Sequence, residues 1–321
     1  HRLYQQSGAD LETMTLAVML KKASRIYGRL PPRLAAEPWF EPLPGVFNPA
    51  LLPLDRFHPN RVQFVCRKHY YELDRRGIMI DSPRREATVN WLYEGVVESG
   101  SLRVLSRAPI EAFDGIEDLR FYEHEGRLYV TGTRPDFETH ARSAPFLASA
   151  ARIHAAMTPQ DLQLCENPPE LAEREKNWVF FTDDRRLYLE RMPGLEDIFE
   201  VDVATGRLDR RGPAGQLSGW SGTKAASWMG GTLFLDHKRV YPLRGFETLV
   251  RFVFRFRYRH PRLGTVALSP EFSLQDDLTD LVYASDLVLL GGFAFIGIGI
   301  NDGAAQILKC PLVHIEQMLH L

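Results

Sequence analysis

FYEHEGRLYVTGT, residues 121–133, decides the fold. Apolar and polar residues alternate on either side of Glu125-Gly126, and a turn between two period-two runs marks a β-hairpin. The same signal recurs outward from it. WVFFTDDRRLYLERM (178–192) turns at Asp183-Asp184, IFEVDVATGRLDRR (198–211) at Thr205-Gly206 and SWMGGTLFLDHK (227–238) at Gly230-Gly231. LVRFVFRFRYRHPRLGTVAL (249–268) alternates Val or Phe with Arg, which predicts a strand with one wet face. The longest apolar stretch, Leu287 to Ile300, is shorter than the ~20 residues of a membrane helix and is broken by glycines, so it predicts a buried strand.

Segments that open such hairpins return at intervals: FNPAL at 47, GIEDLR at 115, EKNW at 175, SGTK at 221 and YASDL at 283. Their spacing, about 55–60 residues, is close to that of a propeller blade with its loops. The prediction is an all-β chain, a five-bladed β-propeller of four-stranded blades over residues 45–321; the WD40 signature is missing. Two helical segments interrupt it: an insertion over 143–156 and a short closing helix over Val313 to Leu321. Residues 1–44 read as an N-terminal arm packed outside the propeller. ADLETMTLAVMLKKASRIY (9–27) has helical spacing, and Pro31, Pro32, Pro38, Pro42 and Pro44 make an extended connector.

The bulk numbers exclude several function classes. The net charge of −2 offers no basic field for nucleic acid or an anionic membrane, and membrane insertion is not expected. Three cysteines far apart imply no disulfide framework and point to a reducing, cytoplasmic compartment. CxxC and HExxH spacings are absent, so no metal is expected. The chain begins at His1, which points to a fragment or processed product and to further domains in the same polypeptide.

Chemistry concentrates where the hairpins begin. In GIEDLR, alternation along a strand puts Asp118 and Arg120 on one side and Glu117 on the other. An acid and a cation aimed together at a channel can protonate a leaving oxygen and hold an anion; an exposed ion pair at a strand start is the plainer alternative. Lys176 and Asn177 in EKNW suit phosphate or sugar hydroxyls, or else a solvated turn. SGWSGTK carries Lys224 on a Gly-rich loop that fits neither a P-loop nor a GxSxG elbow. His237 follows a strand beside Lys238 and Arg239 and can donate to an anion. Asn301 and Asp302 end the last apolar strand. Trp39, Trp91, Trp178, Trp220 and Trp228 offer faces for sugar stacking or simply fill the core.

Taken in order, these segments resemble the five-bladed propellers of glycoside hydrolase family 130, the mannoside phosphorylases and their relatives. Phe47-Asn48-Pro49-Ala50 matches the family's N-P motif, Glu117-Asp118-Leu119-Arg120 its Glu-Asp-Pro-Arg motif, and Glu175-Lys176-Asn177 its Lys-Asn motif. A Gly-rich segment, a strand ending at His237 and an apolar strand ending near Asp302 complete the set, over about residues 45 to 310. Leu119 in place of Pro, and Lys238-Arg239 after the histidine, depart from the pattern. SGWSGTKAASW also resembles propellers attached to bacterial glycosyltransferase domains.

The resemblance implies a carbohydrate-active enzyme, an inverting glycoside phosphorylase or a glycosyltransferase, acting on mannoside-type glycans. Asp118 is its implied general acid; Arg120, Asn48, Lys176, Asn177, Lys224, His237 and Asp302 are the implied substrate and phosphate contacts. An inverting hydrolase needs a second carboxylate to activate water, whereas phosphate is already a nucleophile and needs cations instead. No cofactor is implied beyond inorganic phosphate or a sugar phosphate as co-substrate, and the partners are an oligosaccharide and a sugar-phosphate or activated sugar donor. The alternative is a non-catalytic glycan-binding propeller domain of a larger glycosyltransferase polypeptide.

Overall fold

The computed structural model describes residues 30–52, 60–68, 72–73, 79–80, 88–125, 127–135, 143–150, 178–183, 186–190, 198–202, 207–211, 219–244, 247–275 and 280–321. The helix expected over 9–27 lies outside these residues, as do Lys176 and Asn177.

The chain is built from antiparallel sheets laid down in sequence order. The first runs through Phe47–Leu51, Arg61–Lys68, Val89–Glu98 and Ser101–Pro109; the second through Glu117–His124, Arg127–Pro135 and Ser143–Ala150. The third holds Val179–Asp183, Arg186–Glu190, Ile198–Val201 and Leu208–Arg210. The fourth holds Ser221–Trp228, Gly231–Val240, Arg251–His260 and Gly264–Leu268. The last holds Val282–Leu290, Phe293–Ile300 and Ala304–Pro311. The strands named for each sheet pair antiparallel in chain order, the meander of a propeller blade. The opening strands of successive sheets touch one another in chain order, and Val282–Leu290 closes the ring on Phe47–Leu51.

Closure has a second component. Glu37–Pro38 and Leu43–Pro44, at the end of the Pro-rich arm, pair antiparallel with Ala304–Pro311 and cover the outer edge of the last sheet. Prolines suit such an edge, where no further ladder needs their missing N–H groups. Trp39 and Phe40 are thereby buried against the first and last sheets.

Each seam between sheets has its own apolar core. Ala50, Val65, Phe113 and Phe121 fill the first, and Tyr122, Trp178, Phe180 and Leu189 the second. The largest joins the fourth and last sheets through Phe254, Phe256, Leu287 and Ile296, capped by Ile315 and Leu319 of the closing helix, Leu312–Leu319. The seam between the third and fourth sheets has a small apolar core, Val179, Phe181, Ile198, Ala225 and Phe234, supplemented by charge. There Arg257, 1% exposed, binds Asp236 at 2.9 Å and Glu190 at 2.5 Å.

Four expectations are corrected. Four sheets, not five, have the four or more strands of a full blade; the second has three, and the chain after Ala150 lies outside the described residues up to Trp178. Residues 143–150 form a strand rather than a helix, because Leu128 to Pro135 offer them a ladder that intrinsic propensity does not foresee. The apolar stretch after Leu287 is a hairpin, turning at Gly291 and Gly292 with φ of 56° and 82°. The arginine face of Arg251–His260 is not wet: Arg251 and Arg257 are each 1% exposed, and acids of the fourth sheet and its neighbour meet Arg255, Arg257 and Arg259 in the seam.

Candidate functional site

One irregularity recurs at the start of the opening strands. The pairing register shifts between Phe47 and Ala50, between Glu117 and Arg120, between Gly222 and Lys224, and between Ala284 and Asp286. Each is one extra residue on the ring-lining strand, a β-bulge, and each falls within a segment quoted above. A bulge ends strict alternation and re-aims the side chains around it. Asn48 and Asp118, within two of these bulges, have positive φ of 50° and 54°. Such conformations cost about 1–3 kcal/mol for a non-glycine residue and persist only where the surroundings impose them.

The bulges bring distant residues together. The Asn48 side-chain amide donates to Asp118 Oδ1 at 3.0 Å. Arg67, stacked 4.5 Å over the Phe47 ring, lies 3.3 Å from both Asp118 Oδ1 and Glu117 Oε2. Glu117 therefore does not point away from Asp118 into the blade. The bulge turns both carboxylates toward one guanidinium, and both keep some exposure, 18% for Glu117 and 13% for Asp118.

Arg120 is 3% exposed and donates through Nη1 to the Trp178 carbonyl at 3.1 Å. Its Nε and Nη2 meet no partner in hydrogen-bond geometry among the described residues, although the Tyr283 hydroxyl is near enough to interact with the guanidinium. These two N–H groups form one edge of the planar guanidinium, the edge that grips carboxylate or phosphate with two parallel bonds. A buried charge with an unfilled fork is costly unless an anion occupies it.

His237 is buried beside this edge, with Thr223 Oγ1 2.9 Å from its Nδ1. Burial first, and then the Arg120 charge, push its pKa down to about 3, although Asp118 works the other way. The imidazole is thus neutral near pH 7 and offers a hydrogen bond rather than a positive charge. Tyr283 packs on it edge-on, ring centroids 5.0 Å apart, and burial raises the phenol pKa while Arg120 pulls it back. Asp118, Arg120, His237, Tyr283 and Arg67 therefore form one electrostatic cluster at the mouth of the ring.

Lys224 forms the layer behind. It is 3% exposed, lies 4.7 Å from the Tyr122 ring and binds Asp286 Oδ1 at 2.7 Å, while Asp286 Oδ2 accepts the Leu51 N–H at 2.6 Å. Burial lowers the Lys224 pKa, Asp286 opposes that, and Arg120 adds to it. Its charge is matched within the protein, so it is not an open phosphate donor in this geometry. Asp302 lies in the turn after Phe293–Ile300, next to Gly303, whose carbonyl accepts the Gly45 N–H at 2.7 Å; this is the outer part of the last sheet. Asn301 in the same turn is bonded to Asp280 and Leu281.

Of the sequence-predicted site residues, Asn48, Asp118, Arg120 and His237 are brought together, Lys224 lies behind them and Asp302 apart. Arg67, Tyr283, Asp286 and Tyr122 were not foreseen, although YASDL contains two of them, Tyr283 and Asp286. Trp39 and Trp178 are core, and Trp220 is half-buried with Arg255 4.1 Å and Lys238 4.8 Å from its ring. Among the described residues no group of three His, Cys, Asp or Glu is placed to hold a metal, and no helix is long and apolar enough to cross a membrane.

No protein-family model and no curated protein matches the sequence. Solved structures do. A β-1,2-mannobiose phosphorylase from Listeria innocua, in complex with β-1,2-mannobiose, superposes with a TM-score of 0.53 at 12% identity, covering 87% of this chain and 93% of that one. A mannose phosphorylase from Leishmania mexicana with bound phosphate gives 0.54 at 13%, covering 93% and 95%. A GDP-Man-dependent mannosyltransferase from the same organism gives 0.51 at 11%, covering 92% and 94%. The chain has the fold of these propellers. At such identities the likeness is one of fold, and chemistry has to be argued from the site.

Proposed function

We propose that this chain is a carbohydrate-active enzyme of the phosphorylase or glycosyltransferase kind, working on mannoside-type glycans, in which Asp118 is the general acid and the Arg120 fork holds a phosphate group. The observation that carries this reading is the unfilled Nε–Nη2 edge of a buried arginine in the same cluster as a partly exposed carboxylate. An oxyanion on that edge, with the neutral His237 as a further donor, belongs to the same cluster as the Asp118 carboxylate. In the breakdown direction Asp118 gives its proton to the glycosidic oxygen as the bond to the anomeric carbon breaks, and phosphate oxygen attacks that carbon from the opposite face. In synthesis the same carboxylate takes the proton of the acceptor hydroxyl. Arg67 and Asn48 orient the carboxylate, and Lys224 sets the potential from behind.

Fold neighbours that handle mannobiose, phosphate and a mannosyl donor support the substrate class. We read the three-stranded second sheet as a blade, giving the five blades of family 130, and Lys176 and Asn177, just before Trp178, as further phosphate contacts. No cofactor is needed in this reading. The buried free thiols Cys66 and Cys310 support a reducing, cytoplasmic setting.

The test is a screen for phosphate release or uptake with sugar 1-phosphates and small mannoside acceptors, alongside GDP-mannose, with Asp118→Asn as control. Asn keeps the size and cannot supply an acidic proton, so turnover drops on the order of 10²–10⁴-fold with sugar affinity and melting temperature nearly unchanged. Full turnover in Asp118→Asn overturns the acid role. Sugar binding without turnover in the parent protein leaves the alternative, a glycan-binding propeller.

A further inference from the structure

Asn48 is one of two residues, with Arg67, through which the first sheet touches Asp118, and its own conformation is unusual on two counts. Its φ is 50°, and it precedes Pro49, whose ring favours an extended residue before it. Asn tolerates the left-handed region better than most residues, but nothing local forces it there. The restraint comes from the last sheet, more than 230 residues along the chain. Ser285 Oγ donates to the Pro49 carbonyl at 2.8 Å and Asp286 Oδ2 accepts the Leu51 N–H at 2.6 Å, so the residues after Asn48 are gripped on both sides of Ala50. On the adjoining strand two glycines leave room for the same bulge. A Cβ at Gly297 would run into the Pro49 carbonyl, and a Cβ at Gly299 into Asn48 Oδ1. Asp286 is fixed in turn by Lys224 of the fourth sheet.

We propose that the last sheet positions the acid: Ser285, Asp286 and Gly299 set the Asn48 bulge, and through the Asn48 amide they hold the Asp118 carboxylate in place. They are positioning residues, since none touches the reacting atoms. The ring-closing seam then has a second duty, because the contacts that join the last sheet to the first also aim a side chain at the second. The role of Asp118 in turnover rests on the function proposed above; the positioning itself does not.

The experiment reads the Asp118 carboxyl directly, by its ¹³C titration in protein labelled at aspartate, assigned by its loss in Asp118→Asn. The charged groups around it are Arg67 of Arg61–Lys68, Glu117 and Arg120 of its own strand, His237 of Gly231–Val240 and Tyr283 of Val282–Leu290; none is altered. Asn48→Ala deletes a donor to the ionised carboxylate, and the Asp118 titration moves up by about one pH unit. Gly299→Ala, which only displaces Asn48, moves it in the same direction, and the double variant adds nothing further. Ser285→Ala gives a smaller upward shift. A shift with Asn48→Ala but none with Gly299→Ala or Ser285→Ala overturns the proposal, as does full additivity in the double variant. Should Gly299→Ala not fold, Ser285→Ala decides alone, since an unmoved titration there is also fatal. If these shifts appear while Asp118→Asn retains full turnover, the functional reading fails and the positioning stands. Where turnover is measurable, Gly299→Ala lowers kcat with phosphate affinity kept, and the fall in activity at high pH moves upward with the Asp118 titration.

Discussion

Arg257 and Arg120 are both buried arginines on seams between sheets, 1% and 3% exposed, and their surroundings could hardly differ more. Arg257 faces two carboxylates, Asp236 and Glu190, and stacks 4.0 Å over Phe234. Burial alone would weaken its charge, yet the two acids outweigh burial and raise its pKa. Arg120 has a backbone carbonyl and an empty edge. The same side chain thus serves two ends. Matched within the protein, it is a strut where the apolar seam core is small; with two N–H groups unmatched among the described residues, it is the socket for an anion that the proposed function requires. Lys224 belongs with Arg257, because Asp286 completes it.

The comparison predicts opposite consequences for the same substitution. Arg257→Met removes the guanidinium that both Asp236 and Glu190 bind, while Arg255 stays 3.3 Å from Asp236. Breaking a buried pair from one side costs about 3–5 kcal/mol, so the urea midpoint falls sharply. A loss below about 1 kcal/mol would show that the seam does not depend on this charge. Arg120→Met removes an uncompensated charge and leaves stability in plain buffer unchanged or slightly higher. What it removes is the response to anion. Phosphate at a hundred times its Kd stabilises the parent by about 2.7 kcal/mol, read as a thermal shift, and Arg120→Met abolishes it. A phosphate shift that survives Arg120→Met erases the distinction between the two arginines.

The contrast also shows what the sequence could and could not tell. Hairpins were legible because each lies within about 20 residues and turn chemistry marks it; Gly230 and Glu125 fall just after strands end. The strand openings FNPAL, SGTK and YASDL were legible as recurring segments. Partnership between sheets was not. Arg257 meets Glu190 across 67 residues and Leu51 meets Asp286 across 235, and nothing in local periodicity encodes which arginine on an alternating strand finds an acid. Hence the Arg face of Arg251–His260 read as wet. Alternation also failed at GIEDLR, where one inserted residue turns Glu117 and Asp118 toward the same arginine. The resemblance to family 130 supplied Asp118, Arg120 and His237, but not Arg67 or Asp286, which act through neighbours rather than through a motif.

His237 gives the smallest effect and the sharpest probe of the socket. Its folded-state pKa, about 3, lies below the ~6.5 of an unfolded histidine, so the unfolded chain binds the extra proton first. The stabilising contribution is complete above about pH 6.5 and is lost as pH falls toward 3, at a slope of at most about 1.4 kcal/mol per pH unit. Comparing the parent with His237→Gln between about pH 5 and 3.5, where the folded imidazole begins to take up its proton, isolates this slope from the other histidines. Three causes hold the pKa down, burial first, then Arg120 and last Arg239, and an anion on the Arg120 fork offsets the second. Sulfate is the ligand of choice because it does not titrate in this window, and at fixed ionic strength its general salting effect changes the level of stability rather than the difference in slope. With sulfate bound, the imidazolium becomes easier to form, the folded-state pKa rises and the slope attributable to His237 shrinks. A slope that ignores sulfate while the thermal shift persists would place the anion elsewhere, and the unfilled edge of Arg120 would then be no more a binding site than the matched guanidinium of Arg257.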